Sequence, residues 1–352
     1  MVAEGLRDSG FDGKRTTAGV VVLTGCTGLL GWYLLRNLLS HPAVKQVHCL
    51  AVRNLERRLT QGSLPSEPRV IYYEGDLAQP LLGMSASTAL SVFDSASAVI
   101  HCGADTSHVK HFMDVRASNL GSTMEIAREC LRRRIPLYYV LSAGLGMLHR
   151  NSEEHGFPAG HIDVPGAQVP DGTEGYLCSK WESESFLERA SEAYGLRVEI
   201  HRPSTIMREG SDAVGDKADK DWVTALIKYV KLLKAAPESR SNRGFLDLVR
   251  VDTVCEQILG RVFDGSQSTI DINEGSDVTY FNEVGDEVLG LDGLYNIGLA
   301  DGEAYEVLPR EEWMRLALAA GLHSGVAVLI ETMDEVNVNY PRLWKGMSGC
   351  QV

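Results

Sequence analysis

The segment Thr24-Gly25-Cys26-Thr27-Gly28-Leu29-Leu30-Gly31 places glycines three residues apart, between the apolar run Val20-Val21-Val22-Leu23 and a helical spacing of Leu29, Leu30, Tyr33, Leu34 and Leu38. The pattern predicts a strand, a tight turn and a helix. Glycines let the backbone turn sharply and approach a pyrophosphate, whose charge is favoured at a helix N-terminus. Three glycines in this register arise about 0.35 times by chance at this composition, and the preceding threonine lowers that to about 0.015. A turn that packs closely and binds nothing is the alternative. The register favours a dinucleotide site built from Thr24, Gly25, Thr27, Gly28, Leu29, Leu30 and Gly31.

Further β-like runs at Gln46 to Val52, Arg69 to Glu74, Ala98 to Cys102, Leu137 to Ser142 and Arg197 to His201 are mostly separated by helix-length segments. Near-continuous apolar strands alternating with helices predict an α/β, Rossmann-type doubly wound parallel sheet covered on both faces. The 352 residues and 44% hydrophobic content supply a sizeable core and allow one domain or two. After Pro203 the order is less regular, with a helix expected at Asp221 to Ala235, a strand at Phe245 to Val249, and helices near Val251 to Val262 and Pro309 to Ala320. The expected organisation is a leader or linker over 1–18, a nucleotide-binding domain over 19–203, and a mainly substrate-binding C-terminal lobe over 204–352. Residues between Gly144 and Gly175 lack a clear period and are expected to form a surface flap or substrate-facing loop.

Charge narrows the partners. Lys and Arg number 34 against 47 Asp and Glu, a net charge of −13, which repels nucleic-acid phosphates and anionic lipid heads. No apolar stretch approaches the 18 or more residues of a membrane span, and the first 18 residues lack a signal-peptide core. The seven cysteines are widely spaced without a CxxC, which fits a reduced, cytoplasmic chain with no structural metal. Lys228, Lys231 and Lys234, with Arg240 and Arg243, form a basic island that reads as a solvated helix face or as a docking face for an anionic partner.

At the end of the second strand an NAD site usually carries Asp or Glu on the ribose 2′-hydroxyl. Here Arg53 stands in that place, a forked cation suited to the 2′-phosphate of NADPH, with Arg57 and Arg58 nearby. Asp76, followed by Leu77, either meets the adenine amino group or is an ordinary turn aspartate. Tyr176 and Lys180 are four residues apart, on one helix face, where a lysine cation eases proton transfer at the phenol. Alone that pair is weak, being expected about 0.3 times by chance. Ser142 is expected to end the fifth strand with its hydroxyl facing a cleft, and Asn119 to hold a water or backbone group that relays protons to Lys180.

With these motifs the chain resembles the extended short-chain dehydrogenase/reductases. More narrowly it resembles the terminal thioester-reductase domains of nonribosomal peptide synthetases and fungal polyketide–peptide hybrid synthetases. Besides the glycine loop, Ser142 and the Tyr176/Lys180 pair, the resemblance rests on the stretches from Val47 to Arg53, Tyr73 to Leu77, His101 to His108, Arg116 to Ser122, Gly175 to Trp181 and His201 to Pro203. It implies release of an acyl or aminoacyl chain held as a thioester on a carrier-protein phosphopantetheine arm. Hydride from NADPH would give an aldehyde, and a second hydride an alcohol. Tyr176 would protonate the oxyanion, Ser142 orient it, and Lys180 hold the cofactor ribose; Leu77, Ala104 and Pro203 complete the implied cofactor contacts. A related fungal branch releases its chain by Dieckmann cyclisation to a tetramic acid, without redox change, for which Tyr176, Lys180, Asp105 and His108 could serve. A nucleotide-binding sensor that does no chemistry is a third reading.

Overall fold

Val21, Val22 and Leu23 are fully buried because their strand has a neighbour on each side and helices on both faces. The computed structural model describes residues 19–108, 110–149, 156–162, 164, 175–208, 222–238, 243–264, 278–285, 287–290, 293, 294, 296, 302, 304–335, 339, 340 and 343. The first half of the fold runs β1 (Val20–Thr24), α1 (Leu29–Ser40), β2 (Gln46–Val52), α2 (Leu55–Thr60), β3 (Val70–Glu74), α3 (Ala86–Ser95), β4 (Ala98–His101), α4 (Phe112–Arg116), α5 (Ser122–Arg133) and β5 (Leu137–Val140). It continues through α6 (Gly175–Tyr194), β6 (Val198–Pro203), β7 (Thr205–Met207), α7 (Trp222–Leu233), β8 (Ala235–Pro237), β9 (Arg243–Arg250), α8 (Val251–Asp264) and β10 (Val278–Glu283). β11 (Glu287–Gly290), β12 (Glu306–Leu308), α9 (Arg310–Ala319), α10 (Ser324–Glu335) and β13 (Asn339–Tyr340) follow.

The main sheet has seven strands in the order β10-β6-β5-β4-β1-β2-β3, all parallel. Chain order reverses between β1 and β4, so the crevice expected of a doubly wound sheet opens beyond Thr24 and His101. One face packs on α1 and α8 through Leu34, Leu35, Leu38, Val254 and Ile258. The other packs on α3, α5 and α6 through Val92, Ile126 and Leu187. Each such side chain contributes roughly 1.5–3 kcal/mol by its burial. A third cluster, centred on Trp313, Val230 and Ala225, joins α7, α9 and α10 in the C-terminal part of the chain.

Two features depart from expectation. β10 extends the main sheet beside β6 and α8 covers α1, although both lie beyond Pro203. A single cut at Pro203 therefore does not separate the packing: the chain leaves the sheet and returns to it. The segment expected as a surface flap or substrate-facing loop turns largely inward where it is described, with Pro158 and His161 exposed. Phe157, Ala159, Ile162 and Val164 are all buried. The cause is Arg202 on β6, itself fully buried, which donates to Glu184 through both Nε (3.0 Å) and Nη2 (2.7 Å) and to Gly160 O (2.7 Å). Its guanidinium lies between the rings of Phe157 and Tyr280, 4.8 and 4.7 Å from their centroids. A charge so placed holds an aperiodic segment against the sheet. Of the basic island, Lys228 and Lys231 are exposed on α7 and Lys234 just after it, while Arg240 lies outside the described residues.

Candidate functional site

The glycine loop forms a cradle that side chains would fill. Gly25 has φ +79°, a left-handed conformation, and a Cβ there would lie 2.7 Å from Gly103 Cα. A Cβ on Gly31 would lie 2.1 Å from Gly25 O, whereas one on Gly28 meets only that oxygen, at 3.3 Å. Gly28 stands at the N-cap of α1, where no side chain caps the helix and no acidic residue occupies the first turn. The amides of Leu29, Leu30 and Gly31 thus open the helix, and their dipole suits an anion. Thr27 is half-buried beside them. The residues present therefore fit a dinucleotide pyrophosphate.

At the outer end, β2 carries a bulge against β3 between Cys49 and Val52, with Ala51 at φ +57° and Asn54 at φ +55°. This bend directs the strand end that bears Arg53. Arg53 is exposed, and its Nη1 lies 3.7 Å from Asp76 Oδ2, so the two residues expected at the adenosine end stand together. Asp76 also accepts from Ala78 N–H at 2.8 Å, the bond of a turn aspartate. Leu77 faces the cradle: a Cβ on Gly103 would meet its Cδ1 at 3.1 Å. Ala104 follows Gly103, and Pro203 closes β6 opposite Glu283.

Tyr176 and Lys180 occupy the first turns of α6, both buried. Gly175 seats that helix start. Its N–H donates to Lys110 O at 3.2 Å, and a Cβ there would come within 2.4 Å of Lys110 O and of the His111 and Phe112 backbone. Lys180 Nζ donates to Val140 O (2.8 Å) and to the Tyr139 hydroxyl (3.4 Å), and lies 5.9 Å from the Tyr176 ring centroid. His108 meets Tyr176 edge-on, centroids 5.4 Å apart. Ser142 lies two residues beyond β5 and caps a short 3-10 turn, accepting from Gly144 N–H at 3.1 Å. A Cβ on Gly144 would touch both Ser142 Oγ and Leu177 Cδ2 at 3.2 Å, so Ser142 borders the helix turn that carries Tyr176.

Asn119 sits in a π-helical turn, Ala117–Gly121, a type of irregularity common at functional sites. It accepts from Asp105 N–H (2.7 Å) and donates to Asp105 O (3.0 Å) and Ser179 Oγ (2.8 Å). Its amide thus holds a backbone group, as expected, but reaches α6 at Ser179 rather than at Lys180. The Asp105 carboxylate accepts from Lys110 (2.7 Å) and from Ser107 N–H (3.1 Å).

Sequence reasoning missed Tyr139, a second phenol against Lys180, and gave His101 no role of its own beyond its place in the stretch from His101 to His108. The signal for His101 was a polar side chain ending an otherwise apolar strand beside a glycine. Burial, with the nearby Lys180 charge, lowers its pKa to about 3. The folded protein then refuses a proton that the unfolded chain accepts below about 6.5, so stability falls as pH drops through that range. The expected loss is about 2 kcal/mol between pH 7 and 5 from this group, by the same linkage. Denaturant unfolding at both pH values checks it, with the difference shrinking by that amount in His101→Asn.

Among the described residues no helix is long and apolar enough to cross a membrane, and no group of three or more His, Cys, Asp or Glu could hold a metal ion. The terminal R domain from the myxalamid PKS-NRPS biosynthetic pathway has a similar structure, with TM-score 0.70 and 28% identity over 93% of this chain and 82% of that one. The highly reducing polyketide synthase sthA of Phaeosphaeria nodorum is 41% identical over 94% of this chain, and the hybrid PKS-NRPS synthetase xenE of Xenoacremonium sinensis 34% identical over 90%. The chain spans only 11% and 8% of those two relatives. The fold is the Rossmann-type sheet of extended short-chain dehydrogenase/reductases. A family model of NAD-binding domains, described as male sterility protein, matches residues 23–258, and the chain belongs to that family.

Proposed function

We infer that this chain releases an acyl chain from a carrier-protein phosphopantetheine thiol by NADPH-dependent reduction of its thioester to an aldehyde. The observation that carries the reading is the intact Tyr176/Lys180 pair, buried on one face of α6, together with a glycine cradle at the sheet's switch point. When bound, NADPH supplies the hydride for the thioester carbonyl. Tyr176 gives its phenolic proton to the oxygen that becomes negative, Lys180 stabilises the phenolate left behind, and Ser142 donates to the same oxygen. The carbon–sulfur bond then breaks, the thiol leaves with a proton, and thioester, NADPH and one proton have become aldehyde, thiol and NADP+.

Relatives named as highly reducing polyketide synthases stand at 41% identity, hybrid synthetases at 34%. That order favours a polyketide acyl thioester over an aminoacyl one. It also weighs against Dieckmann release. The test incubates the protein with a polyketide thioester and with a β-ketoacyl-aminoacyl thioester, each with and without NADPH. NADPH-dependent aldehyde supports reduction; a tetramic acid formed without cofactor overturns it.

Selectivity for NADPH rests on Arg53. Its exposed guanidinium is expected to pair with the 2′-phosphate, so Arg53→Ala raises the NADPH dissociation constant about tenfold and leaves that of NADH within about twofold. Titration of cofactor fluorescence reads both values, and equal changes for the two cofactors would remove Arg53 from that role.

A further inference from the structure

A chain of buried side chains joins the cofactor loop to the helix that carries Tyr176, and its donors and acceptors admit one arrangement. Thr24 Oγ1 accepts from Gly103 N–H at 2.9 Å, and His101 Nδ1 lies 2.7 Å away on its other side. His101 Nε2 faces Thr123 Oγ1 at 3.2 Å and Ser122 Oγ at 3.3 Å. Both of those hydroxyls already donate to carbonyls, Thr123 to Asn119 O at 2.7 Å and Ser122 to Ser118 O at 2.6 Å. They can only accept from the ring, so Nε2 carries the proton and Nδ1 accepts from Thr24. The opposite tautomer would leave the Thr24 hydroxyl proton and Nε2 without partners among the described residues, in a fully buried place.

The Nδ1 arm ends on the cofactor loop. The Nε2 arm ends on the start of α5, against the π turn whose Asn119 holds Ser179, and Ser179 Oγ donates to Tyr176 O at 2.7 Å. We propose that His101 is a positioning residue, held as the Nε2–H tautomer, which sets the cofactor loop through Nδ1 and the Tyr176 helix through Nε2. For its turnover readout this rests on the reductive reading above; its binding readout does not.

The two arms separate by substitution. The carbonyl of Asn in His101→Asn reaches the Nδ1 position and keeps the Thr24 bond, while the amide of Gln in His101→Gln reaches the Nε2 position and keeps the Thr123 bond. Loss of one buried bond is expected to change the matching constant about tenfold. His101→Asn should keep the NADPH dissociation constant within about twofold and lower kcat about tenfold; His101→Gln should raise the dissociation constant about tenfold and lower kcat at saturating NADPH less than about threefold. Variants that shift both constants together, or neither, overturn the proposal. Should either fail to fold, Thr123→Val and Thr123→Ser test the outer arm: kcat falls in the first and is restored in the second, and equal values overturn it. The dissociation constant is read by cofactor fluorescence on the protein alone. A protein in which His101→Gln raises the NADPH dissociation constant and His101→Asn does not, yet which forms no aldehyde, therefore refutes the reductive reading and not the cofactor-loop arm of this one.

Discussion

Tyr176→Phe is expected to lower aldehyde formation by about 10²–10⁴ while leaving the NADPH dissociation constant within about twofold. The substitution removes one hydroxyl and keeps the ring, so the edge-on contact with His108 and the seat of α6 against Lys110 should persist. What is lost is the proton donor beside the buried Lys180 ammonium. Single-turnover assays with an acyl thioester at saturating NADPH measure the effect. Turnover above about a tenth of the parent would take Tyr176 out of the chemistry, since proton transfer is worth at least about a hundredfold.

The second large effect separates two glycines that look alike in the motif. Gly31→Ala puts a methyl group 2.1 Å from Gly25 O, a backbone atom that cannot yield, so α1 must move away from the loop. The expected result is a lower Tm together with a rise of about a hundredfold or more in the NADPH dissociation constant. Gly28→Ala meets the same oxygen at 3.3 Å in an exposed position with φ −83°. It should leave the Tm within a few degrees and still weaken NADPH binding about tenfold, because its methyl group would face the pyrophosphate. Thermal unfolding and cofactor titration on the two variants distinguish a cradle that shapes the fold from one that admits the ligand. Equal Tm losses would contradict the geometry.

Local pattern carried the sheet and the loop. β2 was readable from Gln46 to Val52 because five of its seven residues are apolar, and the Tyr176/Lys180 pair because helical spacing alone places both on one face. What connects these pieces was not readable. Thr24 meets His101 across 77 residues because β1 and β4 are neighbours, and no local pattern states strand order. Ser142 was displaced from its expected strand end because β5 stops at Val140 and a 3-10 turn begins. The interior course of the segment at Phe157 depends on Arg202, and an arginine is ordinarily read as surface. β10 went unforeseen because an edge strand mixing Thr, Tyr, Phe, Asn and Glu lacks the continuous apolar run that marked the others.

The central claim is that the chain moves a hydride from NADPH to a thioester carbonyl. Incubation with NADPH deuterated at the transferring carbon, followed by mass analysis of the released product, tests it most directly. The account predicts an aldehyde one mass unit heavier than that formed with unlabelled NADPH, with the label on the carbonyl carbon. Release of an unlabelled cyclic product at the same rate with or without cofactor would contradict it.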